Sequence, residues 1–184
     1  MINELFEKST PLFGPYRLQR MDLDQVPATA SVMLASEPWQ SYGFSFETIE
    51  RFLDGCVNAG IARVIICRNG PDEEVGDFSA EGTGTVEEQV VGLAVVQPGF
   101  LGGRFLEILA VAENHRGKGV GTKIIDLVCK ECPPHIRDLF VLVAMSNTAA
   151  VKFYDKMGFI DVGEMPGLIL PGKVERLIWL RFRD

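Results

Sequence analysis

Between an apolar run, Ile108-Leu109-Ala110-Val111, and an amphipathic stretch from Thr122 to Cys132 lies Arg116-Gly117-Lys118-Gly119-Val120-Gly121. Three glycines and two cations at that point leave the chain few options: a strand must end, turn sharply and restart as a helix. Gly lets the backbone turn and approach a ligand closely. The first turn of the new helix then carries free N–H groups backed by the positive end of the helix dipole. Such a cradle binds phosphate or pyrophosphate. The open question is which phosphate-bearing ligand it holds.

The rest of the chain sets the scale. Its 184 residues, 47% of them apolar, suit one compact domain with a sizeable core. No apolar run reaches the roughly 20 residues of a membrane helix. The stretch Met1 to Thr10 mixes Glu4, Glu7 and Lys8 with few apolar residues and does not read as a signal peptide. Four cysteines (Cys56, Cys67, Cys129, Cys132) are too few for a disulfide scaffold. Cys129 and Cys132 have CxxC spacing, but no second CxxC or His pair completes a zinc site, so no metal is expected. They read as reduced thiols at a helix end, and the expected location is the cytoplasm.

The net charge of −7 is local: residues 70 to 88 hold seven carboxylates and no Lys or Arg, while the remaining 18 acids balance 18 bases. That segment (Asp72, Glu73, Glu74, Asp77, Glu81, Glu87, Glu88) reads as an exposed acidic loop inserted in the domain. No basic footprint for nucleic acid is present, and neither nucleic acid nor membrane is an expected partner.

Periodicity orders the elements. Strands are expected at Tyr16–Met21, Ala62–Cys67, Gln89–Gln97, Phe105–Val111, Leu139–Ala144, Phe159–Val162 and Val174–Phe182. Helices are expected after a cap at Asp22 or Asp24 to about Ala35, from Ser45 as N-cap, from Thr122 to Cys132 and from Asn147 to Lys156. Pro98 to Gly103 reads as a hairpin turn. Strands pair locally at first and then alternate with helices, which gives a single mixed α/β domain over 1–184 with helices on both faces of one sheet.

Three kinds of phosphate loop compete. A P-loop needs Gly-Lys-Ser/Thr, and Gly121 is followed by Thr122-Lys123 in the wrong order. A dinucleotide fingerprint needs Gly-x-Gly-x-x-Gly, against Gly-x-Gly-x-Gly here. The third fits. Arg116-x-x-Gly119-x-Gly121 after a strand ending at Val111 resembles the acetyl-CoA pyrophosphate loop of the GNAT superfamily of N-acetyltransferases. Asn147-x-x-Ala150-x-x-Phe153-Tyr154-x-x-x-Gly158-Phe159 resembles that superfamily's other signature.

The resemblance implies a GNAT-like fold: a mostly antiparallel mixed sheet of about six to seven strands, splayed in the middle. It implies acetyl-CoA as co-substrate. Pyrophosphate would lie on Arg116, Gly117, Lys118, Gly119, Val120, Gly121 and Thr122. The pantetheine arm would pair like an added strand with Leu109, Ala110 and Val111 and meet Asn147, Ala150, Lys152 and Phe153. The acceptor would be a primary amine, of a small molecule by preference, attacking directly in a ternary complex. A protein N-terminus or lysine is the alternative acceptor, and a non-catalytic acyl-CoA sensor the alternative class. A homodimer is left open.

An alkyl ammonium of pKa about 10.4 is only about 0.1% neutral near pH 7.4, a deficit of roughly 4 kcal/mol that a base or water chain offsets. Period-2 alternation places Glu107 on the strand face of Leu109 and Val111, and the resemblance makes it the candidate base. The same resemblance makes Tyr154 the acid that protonates the departing thiolate. It also places Trp39, Tyr42, Phe44, Glu37, Glu47 and Glu50 near the acceptor, with Glu164 to Lys173 as a last wall. His115 reads as a surface residue.

Overall fold

The computed structural model describes residues 9–69 and 87–184. Its sheet has eight strands: β1 (Thr10–Phe13), β2 (Tyr16–Arg20), β3 (Ala62–Asn69), β4 (Glu87–Phe100), β5 (Gly103–Val111), β6 (Asp138–Ala144), β7 (Ile160–Pro166) and β8 (Val174–Arg181). They lie in the order β1-β2-β3-β4-β5-β6-β8-β7. Every neighbouring pair is antiparallel except β5 and β6, which run parallel. The count is higher than expected because of β1, an edge strand whose Pro11 weakens its sequence signal.

Helices α1 (Val26–Leu34) and α3 (Phe46–Asn58) cover one face, with the short α2 (Trp39–Tyr42) between them in sequence. Helices α4 (Val120–Glu131) and α5 (Thr148–Lys156) cover the other. The strands alternate between two cores. In β3, Ala62, Val64 and Ile66 pack with Met33 of α1 and Leu53 of α3, while Ile65 and Cys67 pack with Ile124 and Val128 of α4. A strand covered on both sides has little room for polar residues, which is why residues 64–67 read as one apolar run after Arg63, whose guanidinium bonds Gly60 O and Ala62 O.

Local signals set the helix ends. Ser45 Oγ accepts the N–H of Thr48 at 3.2 Å, and Ile49, Leu53, Cys56 and Val57 form the buried stripe of α3. Gly60, at φ +71°, ends it: its N–H reaches Val57 O and that of Ile61 reaches Cys56 O, a Schellman stop.

Most of the acidic loop lies outside the described residues. Glu87 and Glu88, however, belong to β4, and Glu88 bridges Arg17 and Arg68. Those two acids are therefore strand residues, not part of a loop. Among the described residues no helix is long and apolar enough to cross a membrane. The thiols of Cys129 and Cys132 are both raised by burial, Cys129 to about 12, so neither is a ready thiolate.

Candidate active site

The sheet opens in its middle. β5 pairs with β6 only from Arg104↔Leu139 to Leu106↔Val141. Beyond that point each strand stays with its outer neighbour: β5 with β4 to Val111↔Gly92, and β6 with β8 to Ala144↔Glu175. A bulge marks the divergence. Val95 faces Ile108 and Val96 faces Leu106, so Glu107 is the extra residue.

The bulge corrects the expected alternation. Leu106 belongs to the core under α4 and α5, whereas Ile108 and Ala110 belong to the core under α1 and α3. Leu109 and Val111 pack on the α4/α5 side. Glu107 instead lies near Cys56 of α3, whose thiol is raised to about 12 by burial first and by the Glu107 charge second. Its Oε2 accepts from Gln97 Nε2 at 2.8 Å. Strict period-2 counting thus puts Glu107 on the wrong face; the bulge turns it toward α3.

A cavity of about 200 Å³ fills the opening and reaches both faces of the sheet. From the α4/α5 side it is lined by Leu109, Val143, Asn147, Ala150 and Tyr154; from the other by Glu107, Leu142, Trp39, Tyr42, Phe44 and Glu175. Two ligands entering from opposite faces would meet there.

On the α4/α5 side the cradle is built as its sequence demands. Gly117 (φ +72°) and Gly119 (φ +85°) adopt left-handed backbone that only glycine takes readily. Gly119 is the N-cap of α4, and no side chain caps that helix. Gly121 lies under the ring of Phe153: a Cβ there would stand 3.2 Å from Phe153 Cζ and 3.8 Å from Leu109 Cδ2. The cradle, β5 and α5 therefore converge at one point. Val120 and Ala110 turn their side chains into the two cores, and Ala110 stands opposite Leu93 of β4. Lys118, Thr122 and Lys152 are at least partly exposed.

Two other predicted cofactor residues hold a neighbouring segment. Arg116 donates from Nε to Val111 O at 2.7 Å and from Nη2 to Ser36 Oγ at 2.9 Å. Asn147 caps α5 by accepting the Ala150 N–H at 3.1 Å, and its Nδ2 donates to Glu37 O at 3.0 Å. Ser36, absent from the sequence reading, thus joins the wall before α2 to the cradle. His115 is a further correction. It is 8% exposed, not a surface residue, and its Nδ1 lies 3.0 Å from Tyr16 Oη.

Tyr154 is 6% exposed, with its ring between Phe153 and Phe159, each at 5.1 Å. Burial lifts its hydroxyl above the ordinary tyrosine range, so it is protonated at neutral pH. Trp39, Tyr42, Phe44 and Glu37 line the cavity, while Glu47 and Glu50 do not; of the Glu164–Lys173 wall only Ile169 lines it. Glu175 was missed by sequence. It is 1% exposed and accepts a hydrogen bond from Tyr42 Oη. A carboxylate alternating with Leu177 and Trp179 along a strand was the available signal. Among the described residues no group of three or more His, Cys, Asp or Glu gathers as for a metal.

Comparison with known proteins agrees with this geometry. The model of the acetyltransferase (GNAT) family matches residues 36–159. The uncharacterized N-acetyltransferase YobR of Bacillus subtilis is 38% identical over 60 residues, 32% of this chain; the chain spans about a quarter (24%) of that relative's length. A GNAT-family acetyltransferase from Bacillus anthracis superposes with a TM-score of 0.67 at 13% identity, covering 95% of this chain and 98% of its own. The ribosomal-protein alpha-N-acetyltransferase RimL, solved with coenzyme A, gives 0.66 at 14% identity over 95% and 98%. A GNAT-family acetyltransferase from Bacillus cereus gives 0.64 at 14% over 93% and 100%.

Proposed function

The chain belongs to the acetyltransferase (GNAT) family, and from that premise we propose that it moves an acetyl group from acetyl-CoA to a primary amine of a small molecule, by direct attack in a ternary complex. The observation that carries this reading is the cavity through the open sheet, with Tyr154 on one side and Glu107 on the other.

The residues present suit acetyl-CoA. The uncapped start of α4, with Gly117 and Gly119 in left-handed backbone, offers N–H groups to a pyrophosphate. Residues 107–111 of β5, unpaired by β6, offer a strand edge to the pantetheine amides. Lys118 and Arg116 add positive charge beside the cradle.

Glu107 takes a proton from the incoming ammonium, directly or through water, and the freed nitrogen lone pair attacks the acetyl carbonyl carbon. A backbone N–H near Leu109 polarises that carbonyl. The C–S bond then breaks as the amide forms, and the nitrogen gives up its second proton to solvent or, through water, toward Tyr154. Tyr154 Oη hydrogen-bonds the departing thiolate and supplies its proton. An alkyl thiol has a pKa of about 8.5 and the Tyr154 hydroxyl lies well above it, so a free tyrosinate would be the costlier anion. The proton from Tyr154 must therefore move in step with replacement from solvent or substrate, not ahead of it.

An assay of thiol release from acetyl-CoA with a panel of small amines, N-terminal peptides and lysine peptides tests the reading. Release with small amines is expected. Release with peptides alone would move the acceptor to protein, as in the RimL name. Tight acetyl-CoA binding with no release for any acceptor would leave a sensor domain and end the catalytic reading.

A further inference from the structure

Glu175 is the one carboxylate lining the cavity that is fully withdrawn from solvent, at 1% exposure. Tyr42 donates to its Oε1, whereas Oε2 is buried with no hydrogen-bond partner. Glu175 makes no ion pair among the described residues, and no Lys, Arg or His lines the cavity. Lys173 contacts the Tyr42 ring instead, its Nζ 5.6 Å from the ring centre. A buried carboxylate with an unused oxygen is costly unless a charge-assisted donor completes it. The walls around it, Trp39, Tyr42 and Phe44, are aromatic faces that also attract a cation.

We propose that Glu175, oriented by Tyr42, is the binding residue for a second cationic group of the acceptor, so that the preferred substrate is a dication rather than a monoamine. This rests on the acetyltransferase reading above. The distinction between the two nitrogens follows from the chemistry: a nitrogen that attacks a thioester must shed its proton, and a tightly paired ammonium keeps it. The group held at Glu175 is therefore not the nucleophile. The topology separates the two places. Glu107 stands where the opening begins, one residue past Leu106, and Glu175 stands opposite Ala144 at its far end. Glu107 is level with Leu142, two residues of β6 before Ala144, a separation of roughly 7 Å along the strand. A linear alkyl diamine spans such a separation with the reach of two carboxylate side chains included.

The test compares cadaverine with n-hexylamine, in which a methyl replaces the second ammonium. Wild-type protein should favour cadaverine in kcat/KM. Glu175→Gln keeps the side chain's shape and leaves Tyr42 an acceptor. It should raise KM for cadaverine by about tenfold or more, with kcat little changed, while KM for n-hexylamine does not rise. A cadaverine preference that survives Glu175→Gln, or no preference in wild type, overturns the proposal while leaving the acetyltransferase reading intact. Calorimetric titration of cadaverine into the CoA-bound protein reads the same site without turnover. Glu175-dependent binding with no acetylation of any amine would uphold the site and sink the acetyltransferase reading. If Glu175→Gln does not fold, wild-type calorimetry decides alone, because equal affinity for the two amines overturns the proposal.

Discussion

Phe159 stacks its ring edge-on against Tyr154 at 5.1 Å and sends its backbone N–H to the Tyr154 carbonyl at 3.1 Å. Gly158, just past the end of α5, has φ +85°, and its N–H reaches Asp155 O. Together these bonds are a Schellman stop with its customary apolar contact. The Phe-Tyr-x-x-x-Gly-Phe spacing is thus a device that ends α5 and pins the Tyr154 ring in the cavity wall. Gly158→Ala forces left-handed backbone on an L-residue and should cost about 1–2 kcal/mol, read as a shift of the denaturant midpoint. Turnover should fall with it. Unchanged stability would show that the stop is dispensable.

Tyr154→Phe removes one hydroxyl and keeps the ring packing. If Tyr154 donates to the departing thiolate, kcat should fall by about 100-fold, the scale of a positioned acid. The affinity for acetyl-CoA, measured by calorimetry, should stay within a factor of two or so. An unchanged rate would remove Tyr154 from the chemistry and leave it a packing residue.

The buried His115 carries a pH dependence. Burial, and then the charge of Lys118, lower its pKa from the usual 6.5. The unfolded chain therefore takes up a proton near pH 6.5 that the folded chain refuses until lower pH. Between those two values the unfolded state binds more protons, so stability falls as pH drops below about 6.5 and is retained above it. His115→Gln removes the titration. The difference in melting temperature between the two proteins should therefore change as pH falls from about 7 to 5. A difference that is constant across that range would contradict a buried neutral His115 at the base of the cradle.

The parts of this site that are legible in the sequence are those whose causes are local. Gly117 and Gly119 announce left-handed backbone, Asn147 and Ser45 announce caps, and each does what its own side chain allows. The parts that are not legible depend on partners distant in sequence. Glu107 leaves its expected face because β4 holds Val95 and Val96 against a strand one residue longer, and nothing within β5 reports that mismatch. Glu175 reads as an ordinary strand charge until Tyr42, 133 residues away, closes over it. His115 looks exposed beside a charged loop, and only its approach to Tyr16 in β2 shows otherwise.

Two glycines separate the cradle from the scaffold that carries it. At Gly121 an added Cβ would meet the tip of the Phe153 ring at 3.2 Å, a group that can tilt. At Gly92 it would meet Ala110 O at 2.4 Å and Ile65 Cδ1 at 2.6 Å, and the carbonyl is fixed by the sheet. Gly121→Val should therefore leave the fold standing but displace Phe153 and the first turn of α4, weakening acetyl-CoA binding by about tenfold or more. Gly92→Ala should act in the opposite way. It forces β4 and β5 apart and should cost at the upper end of overpacking, about 3 kcal/mol, before any ligand is added. Denaturant unfolding reads the second effect and calorimetry with acetyl-CoA the first. If Gly121→Val lost stability and kept its affinity, the cradle would not be where the pyrophosphate lies.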